Sequence, residues 1–251
     1  MQYLPEENLY RFTIIGTETD IHDRLHYHSL FAMLQEAACL DADRHGFGAE
    51  VMDGLSVCWL LLRMNVQMDR IPKWKDEIYI RTWSQGFERL LFNRDFDIFD
   101  QDRNLIGRAT SVWVIAHQGD HRPVRPSSIE GMSVFESIEP SGRKAEKIPP
   151  IPDEKRENSP KFKRFADYSQ IDRNMHVNNT HYVAWSEDAC YSLISDEDRI
   201  RELTINYSSE VHPGEEVQLF CIFEDGVILV DGIEAKSGRH VFTTRIAPGK
   251  E

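Results

Sequence analysis

The residues from Asp172 to Asn179 are the part of this sequence best suited to chemistry, and they read Asp-Arg-Asn-Met-His-Val-Asn-Asn. In an extended segment, Asp172, Asn174 and His176 would project to one side, because side chains alternate along extended backbone. A carboxylate can orient a water, an amide can donate to a polarised oxygen, and an imidazole can move protons near neutral pH. Together the three residue types favour chemistry at a carbonyl group.

A helix is predicted directly after this segment, over residues 179–194, with Asn179 as its N-cap. One face carries apolar side chains at helical spacing, namely Tyr182, Trp185, Ala189 and Leu193. The first N–H groups of a helix and its partial positive charge can stabilise an oxyanion. The predicted oxyanion site is therefore the backbone of Val177, Asn178 and Asn179.

The same residue types also occur where no chemistry takes place. An Asn-rich stretch before a helix is often only a cap and turn, so residue types alone leave both interpretations open. Cys190 on this helix is predicted to be a small packed residue and not a nucleophile. His22, His26 and His28 are predicted to lie in a solvated turn, because no set of Cys or carboxylate residues with metal-ligand spacing accompanies them. No metal and no cofactor are predicted.

Two domains are predicted on either side of a proline-rich linker. Residues 138–162 combine many charges with five prolines, which favour extended backbone and remove hydrogen-bond donors, at positions 140, 149, 150, 152 and 160. The linker separates an N-terminal part, residues 1–137, from a C-terminal part, residues 163–251. Both parts have the size of small domains.

Both parts show the same order of predicted elements: a short extended segment, a turn, an amphipathic helix and several strands. The first helix is predicted over residues 29–47, with Gly46 as its stop and an apolar face formed by Leu30, Met33, Leu34, Ala37 and Cys39 or Leu40. The first strand after the second helix is predicted over residues 203–211. A long helix wrapped by a curved antiparallel sheet, occurring twice, predicts an α+β fold of two tandem hotdog domains.

The composition limits the partners and the compartment. The formal net charge of -13 argues against nucleic acid or an anionic membrane surface as the main partner. Four cysteines without close pairs are predicted to be reduced. The first residues lack a signal-peptide pattern, and no apolar stretch reaches membrane-spanning length. The expected location is therefore the cytosol.

The string SQIDRNMHVNNTHYVAWSEDA resembles the DxNxHVNN-x-x-Y segment of acyl-ACP thioesterases, which release fatty acids from acyl carrier protein. The resemblance continues through LQEAACLDADRHGFG, WLLLRMNVQMDRIPKWKDEIYIRTW and GRATSVWVIAHQGDHRPVRP, and so covers most of the chain. It implies an enzyme that hydrolyses fatty acyl-ACP.

The resemblance also implies which residues are catalytic: Asp172, Asn174, His176 and an acid, Glu210, in a family context of Tyr-x-x-Glu-Cys. That context here reads Tyr-Ser-Ser-Glu-Val, so Val211 replaces a cysteine and offers no nucleophile. The alternation of side chains along the predicted strand argues against a catalytic role for Glu210. Its apolar residues share the other face, so Glu210 would point away unless a bulge intervenes.

The first half is predicted to be the non-catalytic repeat, contributing an acyl-chain pocket. Aligning the two predicted helices places Ile21, Asp23 and Leu25 opposite the Asp, Asn and His of the second half. Aspartate and leucine in place of asparagine and histidine leave no equivalent proton relay.

Several alternatives remain open at this stage. A water activated by Glu210 or Asp172, with His176 placing a proton on the departing thiolate, is favoured over a covalent acyl-carboxylate intermediate. Rival functions are an acyl-CoA thioesterase, which needs a basic pocket for nucleotide phosphates, a non-catalytic acyl-binding hotdog protein, and a hotdog dehydratase. Residue types do not decide whether two chains pair as a homodimer.

Acyl carrier protein is expected to be acidic, as this chain is, so docking needs a local basic patch. Candidates are Lys161, Lys163 and Arg164, just before the motif, together with Arg143, Lys144 and Lys147. The alternative is that these charges are merely solvated.

Overall fold

The computed structural model of the protein describes residues 8–135, 141–194 and 198–250. The chain forms two compact units, Met1–Ala145 and Glu146–Glu251. Residues 146–162 of the predicted linker belong to the second unit and include a short helix, α3 (Asp153–Glu157). Residues 136–140 of the predicted linker lie outside the described residues. Within the described residues, no helix is both long and apolar enough to cross a membrane.

The first unit is one main helix against a five-stranded antiparallel sheet. In chain order its elements are β1 (Leu9–Thr13), α1 (Tyr27–Arg44), α2 (Ala49–Gly54), β2 (Val57–Met68), β3 (Glu77–Glu88), β4 (Leu91–Asp100) and β5 (Leu105–His117). The strands lie in the order β1-β3-β4-β5-β2.

The apolar stripe on α1 explains why this helix forms and where it lies. Leu30, Leu34 and Ala37 recur at helical spacing and are fully buried, so the helix is stabilised mainly by the apolar surface it removes from water. Cys39 and Leu40 were the doubtful members of the predicted face, and both are exposed. The helix ends at Arg44, and Gly46 follows with φ of 79°, a conformation that suits glycine at a helix end.

The second unit repeats this arrangement. Its remaining elements are β6 (Lys161–Phe165), α4 (Asn179–Cys190), β7 (Asp198–Tyr207), β8 (Glu216–Glu224), β9 (Val227–Glu234) and β10 (His240–Lys250). The strands lie in the order β6-β8-β9-β10-β7, which is the order of the first unit, element for element. The predicted α+β fold of two tandem hotdog domains is confirmed.

The repeat extends to individual backbone hydrogen bonds. In the first unit Ile14 N–H donates to Asp76 O at 2.9 Å, and Lys75 N–H donates back to Ile14 O at 3.0 Å. In the second unit Ala166 N–H donates to Glu215 O at 3.0 Å, and Gly214 N–H donates to Ala166 O at 2.9 Å. These matched pairs show which residues of the two units correspond, more exactly than the weak sequence similarity does.

Candidate active site

The segment that carries the Asp-Asn-His motif is a tight turn and not an extended strand, so the prediction of extended backbone was wrong. Asp172 O accepts from Met175 N–H at 3.0 Å, and Asp172 Oδ1 accepts from Asn174 N–H at 2.8 Å. Met175 has φ of 66°, in the left-handed region that such a turn requires. An aspartate side chain that bonds a backbone N–H two residues on is a favoured way to start a turn. The turn leaves Asn174 exposed and His176 buried.

His176 lies between two carboxylates. Its Nδ1 is 3.7 Å from Asp172 Oδ1, and its Nε2 is 3.5 Å from Glu210 Oε1. The His176 side chain is only 9% exposed, whereas the two carboxylates keep 19% and 26% of their surface exposed. Both distances are slightly longer than a hydrogen bond and within the range of an ion pair. The arrangement can hold one nitrogen of the imidazole in a fixed orientation while the other exchanges a proton.

Glu210 faces His176 because strand β7 ends before it. The predicted strand ran to residue 211, but β7 stops at Tyr207. Ser208 N–H and Ser209 N–H then both donate to one acceptor, Val241 O, at 2.7 and 3.1 Å. This shared acceptor interrupts the alternation of side chains along the strand. The prediction that Glu210 points away from the apolar face therefore does not apply.

One backbone hydrogen bond joins the motif to the segment that bears Glu210. Val177 N–H donates to Val211 O at 2.8 Å, and both valines are fully buried. The next residue, Asn178, is the N-cap of α4, where its Oδ1 accepts from Thr180 N–H at 3.1 Å. The prediction of Asn179 as the cap was therefore wrong by one residue.

The same bonds restrict the predicted oxyanion site. Val177 N–H is already used by Val211 O, and Asn178 N–H donates to Gln170 O at 2.9 Å. Neither group is available to an oxyanion, so these two candidates are corrected. Among the described residues, the Asn179 N–H at the first position of α4 has no such acceptor, as is usual for the first N–H groups of a helix.

Two tyrosines contribute polar groups next to the site, although the sequence pattern marks Tyr182 only as a packing residue. Tyr182 on α4 is buried, and its hydroxyl accepts from Val211 N–H at 3.1 Å. The Tyr207 hydroxyl donates to Asn179 O at 3.1 Å. Burial raises the pKa of both phenols well above the ordinary value, so both stay neutral hydrogen-bonding groups. A polar atom on an otherwise apolar helix face is the signal that could have identified Tyr182.

The equivalent turn of the first unit shows what that unit lacks. Asp20 N–H donates to Arg24 O at 2.8 Å, and Asp20 Oδ1 accepts from His22 N–H at 2.8 Å. Asp23 has φ of 60°, as Met175 has 66° in the second unit. These bonds match those of Asp172, whose N–H donates to His176 O at 2.9 Å, so the residues opposite Asp172, Asn174 and His176 are Asp20, His22 and Arg24.

The sequence alignment that placed Ile21, Asp23 and Leu25 opposite the motif was thus wrong by one residue. The aspartate and its turn are retained, but the histidine position holds Arg24, whose Nε donates to Asp20 Oδ2 at 2.9 Å. The acid is also replaced. Leu25 N–H donates to Pro72 O at 2.8 Å, as Val177 does to Val211, which places buried Ile71 opposite Glu210. A permanently charged guanidinium and an alkyl group cannot form a proton relay.

Cys190, weighed as a nucleophile in the sequence analysis, shows no such arrangement. Cys190 is buried, and its burial raises the pKa of the thiol well above the ordinary value, so it is a neutral packed group. The rings of His26 and His28 stack with centroids 4.8 Å apart.

The basic residues considered for docking are partly paired within the second unit. Lys163 Nζ lies 2.9 Å from Glu216 Oε1, and Arg164 Nη2 lies 3.0 Å from Asp188 Oδ2. Lys161 Nζ lies over the Phe220 ring, 5.6 Å from its centroid. Arg143 is different, since it belongs to the first unit and clamps strand β4 through Asp97 at 3.0 Å and the carbonyl of Phe96 at 2.9 Å.

The first unit contains an apolar cavity between α1 and its sheet. Its walls include two small helix residues and four aromatic rings, namely Ala38, Ala42, Trp59, Phe92, Trp113 and Phe135. Arg94 also lines it, but its Nη1 is 2.7 Å from Asp41 Oδ2 and 3.1 Å from Thr82 Oγ1. This buried pair neutralises the guanidinium, so the cavity suits an apolar ligand.

Two family models match the chain. The model of the acyl-ACP thioesterase N-terminal domain matches residues 8–149, and the model of the acyl-ACP thioesterase C-terminal domain matches residues 154–245.

Individual relatives agree with these matches. The chloroplastic oleoyl-acyl carrier protein thioesterase 2 of Arabidopsis thaliana is 27% identical over 80% of this chain and 58% of its own length. The chloroplastic palmitoyl-acyl carrier protein thioesterase of Gossypium hirsutum is 28% identical over 79% of this chain and 51% of its own length. The chain thus spans little more than half the length of these relatives.

Two solved structures share the fold over nearly the whole chain. An acyl-ACP thioesterase from Bacteroides thetaiotaomicron superposes with a TM-score of 0.84 at 25% identity, covering 98% of this chain and 100% of that one. The 12:0-ACP thioesterase from Umbellularia californica also gives a TM-score of 0.84, at 20% identity, covering 99% of this chain and 100% of that one.

The N-cap of α4 generates a stability prediction. Asn178→Ala removes the acceptor for Thr180 N–H and should lower the free energy of unfolding by about 1 kcal/mol. Asn178→Ser keeps a capping oxygen and should retain most of the wild-type stability. Urea denaturation of the three proteins measures the difference. Equal stability of the alanine and serine variants would show that the cap contributes nothing.

Proposed function

Because the chain belongs to the acyl-ACP thioesterase family, we propose that it hydrolyses the thioester of fatty acyl-acyl carrier protein and releases the free fatty acid. The observation that carries the proposal is the buried imidazole of His176 between the carboxylates of Asp172 and Glu210. It lies directly before the N-terminus of α4, where charge on a carbonyl oxygen can be stabilised.

Each group has a role in the proposed reaction. Glu210 removes a proton from a water, whose oxygen attacks the thioester carbonyl carbon. The Asn179 N–H and the Asn174 amide donate to the carbonyl oxygen as it gains charge. Glu210 passes the proton taken from the water to His176, 3.5 Å away, and His176, oriented by Asp172, delivers it to the thiolate as the carbon–sulfur bond breaks. The products are the fatty acid and the thiol of the carrier protein.

The favoured route leaves one variant open. Glu210 or Asp172 attacking the carbonyl itself would give an acyl-carboxylate intermediate. A cysteine nucleophile has no support, because Val211 stands where the family pattern has cysteine and the Cys190 thiol is buried and neutral. The four free cysteines also fit a reducing compartment, which supports a cytosolic location as part of the proposal.

The catalytic assignment predicts the effect of three substitutions. His176→Ala and Glu210→Gln should each lower kcat by about 10²- to 10⁴-fold, the usual contribution of a positioned acid or base. Cys190→Ser should keep turnover near that of the wild type. Release of free thiol from a panel of acyl-ACP and acyl-CoA substrates measures all four proteins.

The same assay separates the rival functions. No thiol release by the wild type from any substrate would favour an acyl-binding protein without activity. A preference for acyl-CoA over acyl-ACP would favour an acyl-CoA thioesterase. Unchanged turnover of Glu210→Gln would remove this residue from the site and leave His176 and Asp172.

We further propose that the apolar cavity of the first unit holds acyl chains. Its walls are almost entirely apolar, as those of small-molecule sites usually are. The unit that contains it lacks the histidine and the acid of the motif, which agrees with a binding role.

Filling the cavity should change the preferred chain length. Ala42→Phe places a ring in the cavity and should lower kcat/KM for long acyl chains at least about tenfold while sparing short ones, since lost apolar burial costs about 0.8 kcal/mol per methylene. Leu40→Phe is the control, because Leu40 lies on the exposed side of the same helix. Equal activity of both variants on every chain length would contradict the assignment.

Docking of the carrier protein is proposed at strand β6, through Lys161, Lys163 and Arg164. Lys161 and Lys163 are exposed at the sheet edge just before the motif. The ion pairs of Lys163 and Arg164 are partly exposed and weak, so an acidic partner can compete for these cations.

Reversal of the three charges to Glu should raise KM for acyl-ACP several-fold, with the effect growing at low salt because screening is then weak. It should leave hydrolysis of a small acyl thioester unchanged. Steady-state kinetics on both substrates test this. Equal effects on both would show a structural role for these residues instead of docking.

A further inference from the structure

Arg239, the residue before β10, makes two contacts with the segment that carries Glu210. Its Nη1 donates to the main-chain carbonyl of Glu210, and its Nη2 lies 2.9 Å from Glu215 Oε2. We propose that Arg239 is a positioning residue, which fixes the backbone of Glu210 so that the carboxylate faces His176. The inference rests on the proposed function, in which Glu210 is the base.

The segment 208–211 needs such support because it lies outside the sheet. Its neighbours are tied by other groups: Ser209 Oγ donates to His240 O at 2.6 Å, and Val211 N–H donates to the Tyr182 hydroxyl at 3.1 Å. The carbonyl of Glu210 is the point of this segment that Arg239 holds. A charged donor makes a hydrogen bond about twice as strong as a neutral one.

The guanidinium is itself held in place. Glu215 Oε2 also accepts from His212 N–H at 2.9 Å, and Glu215 N–H donates to His212 O at 3.1 Å. The carboxylate is therefore fixed by the turn that follows Glu210. Arg239 bridges this turn and the Glu210 carbonyl with its two terminal nitrogens, a geometry that lysine cannot reproduce in full.

The first unit provides an internal comparison. Asp100 N–H donates to Asn104 O at 2.9 Å, as Glu234 N–H donates to Arg239 O at 2.8 Å, so Asn104 occupies the position of Arg239. The side chain of Asn104 bonds Asp100 instead. The unit with isoleucine in place of Glu210 thus also has asparagine in place of the arginine.

A structural ion pair nevertheless closes the same turn of the first unit. Arg70, opposite Ser209, reaches Asp100 at 3.0 Å and Asp76 at 3.6 Å. Asp76 is the counterpart of Glu215. If the second unit needed an arginine only to close this turn, an arginine at position 209 would therefore be enough. Arg239 instead comes from the other strand, from which it reaches the carbonyl of the catalytic acid.

Kinetics of Arg239→Ala test the proposal. Because displacement of a catalytic group by about 1 Å can cost about 10²-fold in rate, kcat should fall by about 10- to 100-fold with KM within about twofold. Arg239→Lys, which can still donate to the carbonyl, should recover part of kcat. Arg70→Ala is the matched control, with a similar loss of thermal stability and unchanged kcat.

A double-mutant cycle with Glu210→Gln shows whether Arg239 acts through Glu210. If it does, Arg239→Ala should cost nothing further in the Glu210→Gln background. The proposal would be overturned if the losses in kcat of Arg239→Ala and Glu210→Gln multiplied in the double variant. A rise in KM without a fall in kcat would also overturn it. So would an Arg239→Lys variant that has a native melting temperature but is no more active than Arg239→Ala.

The activities of the single variants distinguish a failure of the positioning role of Arg239 from a failure of Glu210 as the base. Full activity of Glu210→Gln alone contradicts the proposed base. Loss of activity in Glu210→Gln together with full activity in Arg239→Ala contradicts only the positioning role. If Arg239→Ala fails to fold, Arg239→Lys and its cycle with Glu210→Gln give the same answer.

Discussion

The hydrogen bond from Val177 N–H to Val211 O is the constraint on which the site depends. It joins the turn of the motif to a segment 34 residues further along the chain, and both valines are fully buried. A buried backbone bond is costly to leave unmade, so the register between the two segments is strongly fixed. His176 precedes one end of this bond and Glu210 precedes the other, which is why an imidazole and a carboxylate meet at 3.5 Å.

The tandem repeat shows that the same fold is built with and without the groups of the candidate site. Both units keep the turn, the aspartate that caps it and the helix that follows. These features are required by the fold, because they determine how the chain enters the helix. The proton-transfer groups are not required by the fold, and the first unit has Arg24 and Ile71 in their places. The first unit therefore has the same sheet and helix without these groups, and its helix and sheet line an apolar cavity.

The net charge of -13 requires that any docking of an acidic carrier be local. The three cations at β6 are exposed or half-buried, and Lys163 and Arg164 have neighbouring acids, so they form a modest patch that depends on ionic strength. If the carrier docks there as proposed, it meets the second unit, just before the motif. The apolar cavity of the first unit, with its one guanidinium neutralised by Asp41, has no comparable attraction for a charged carrier.

The sequence by itself determined the elements, their order and the repeat, because these depend on local periodicity: the stripe Leu30, Leu34, Ala37 and the alternation of the strands. It also determined that Asp172, His176 and Glu210 were the residues to consider, through the resemblance carried by the motif. It did not determine the shape of the turn, the cap at Asn178, the one-residue register of the repeat or the direction of Glu210. Those depend on hydrogen bonds between distant segments, above all the end of β7 at Tyr207 and the shared acceptor Val241 O. A shift of one residue in an extended segment reverses its faces, and only tertiary contacts choose between the two registers.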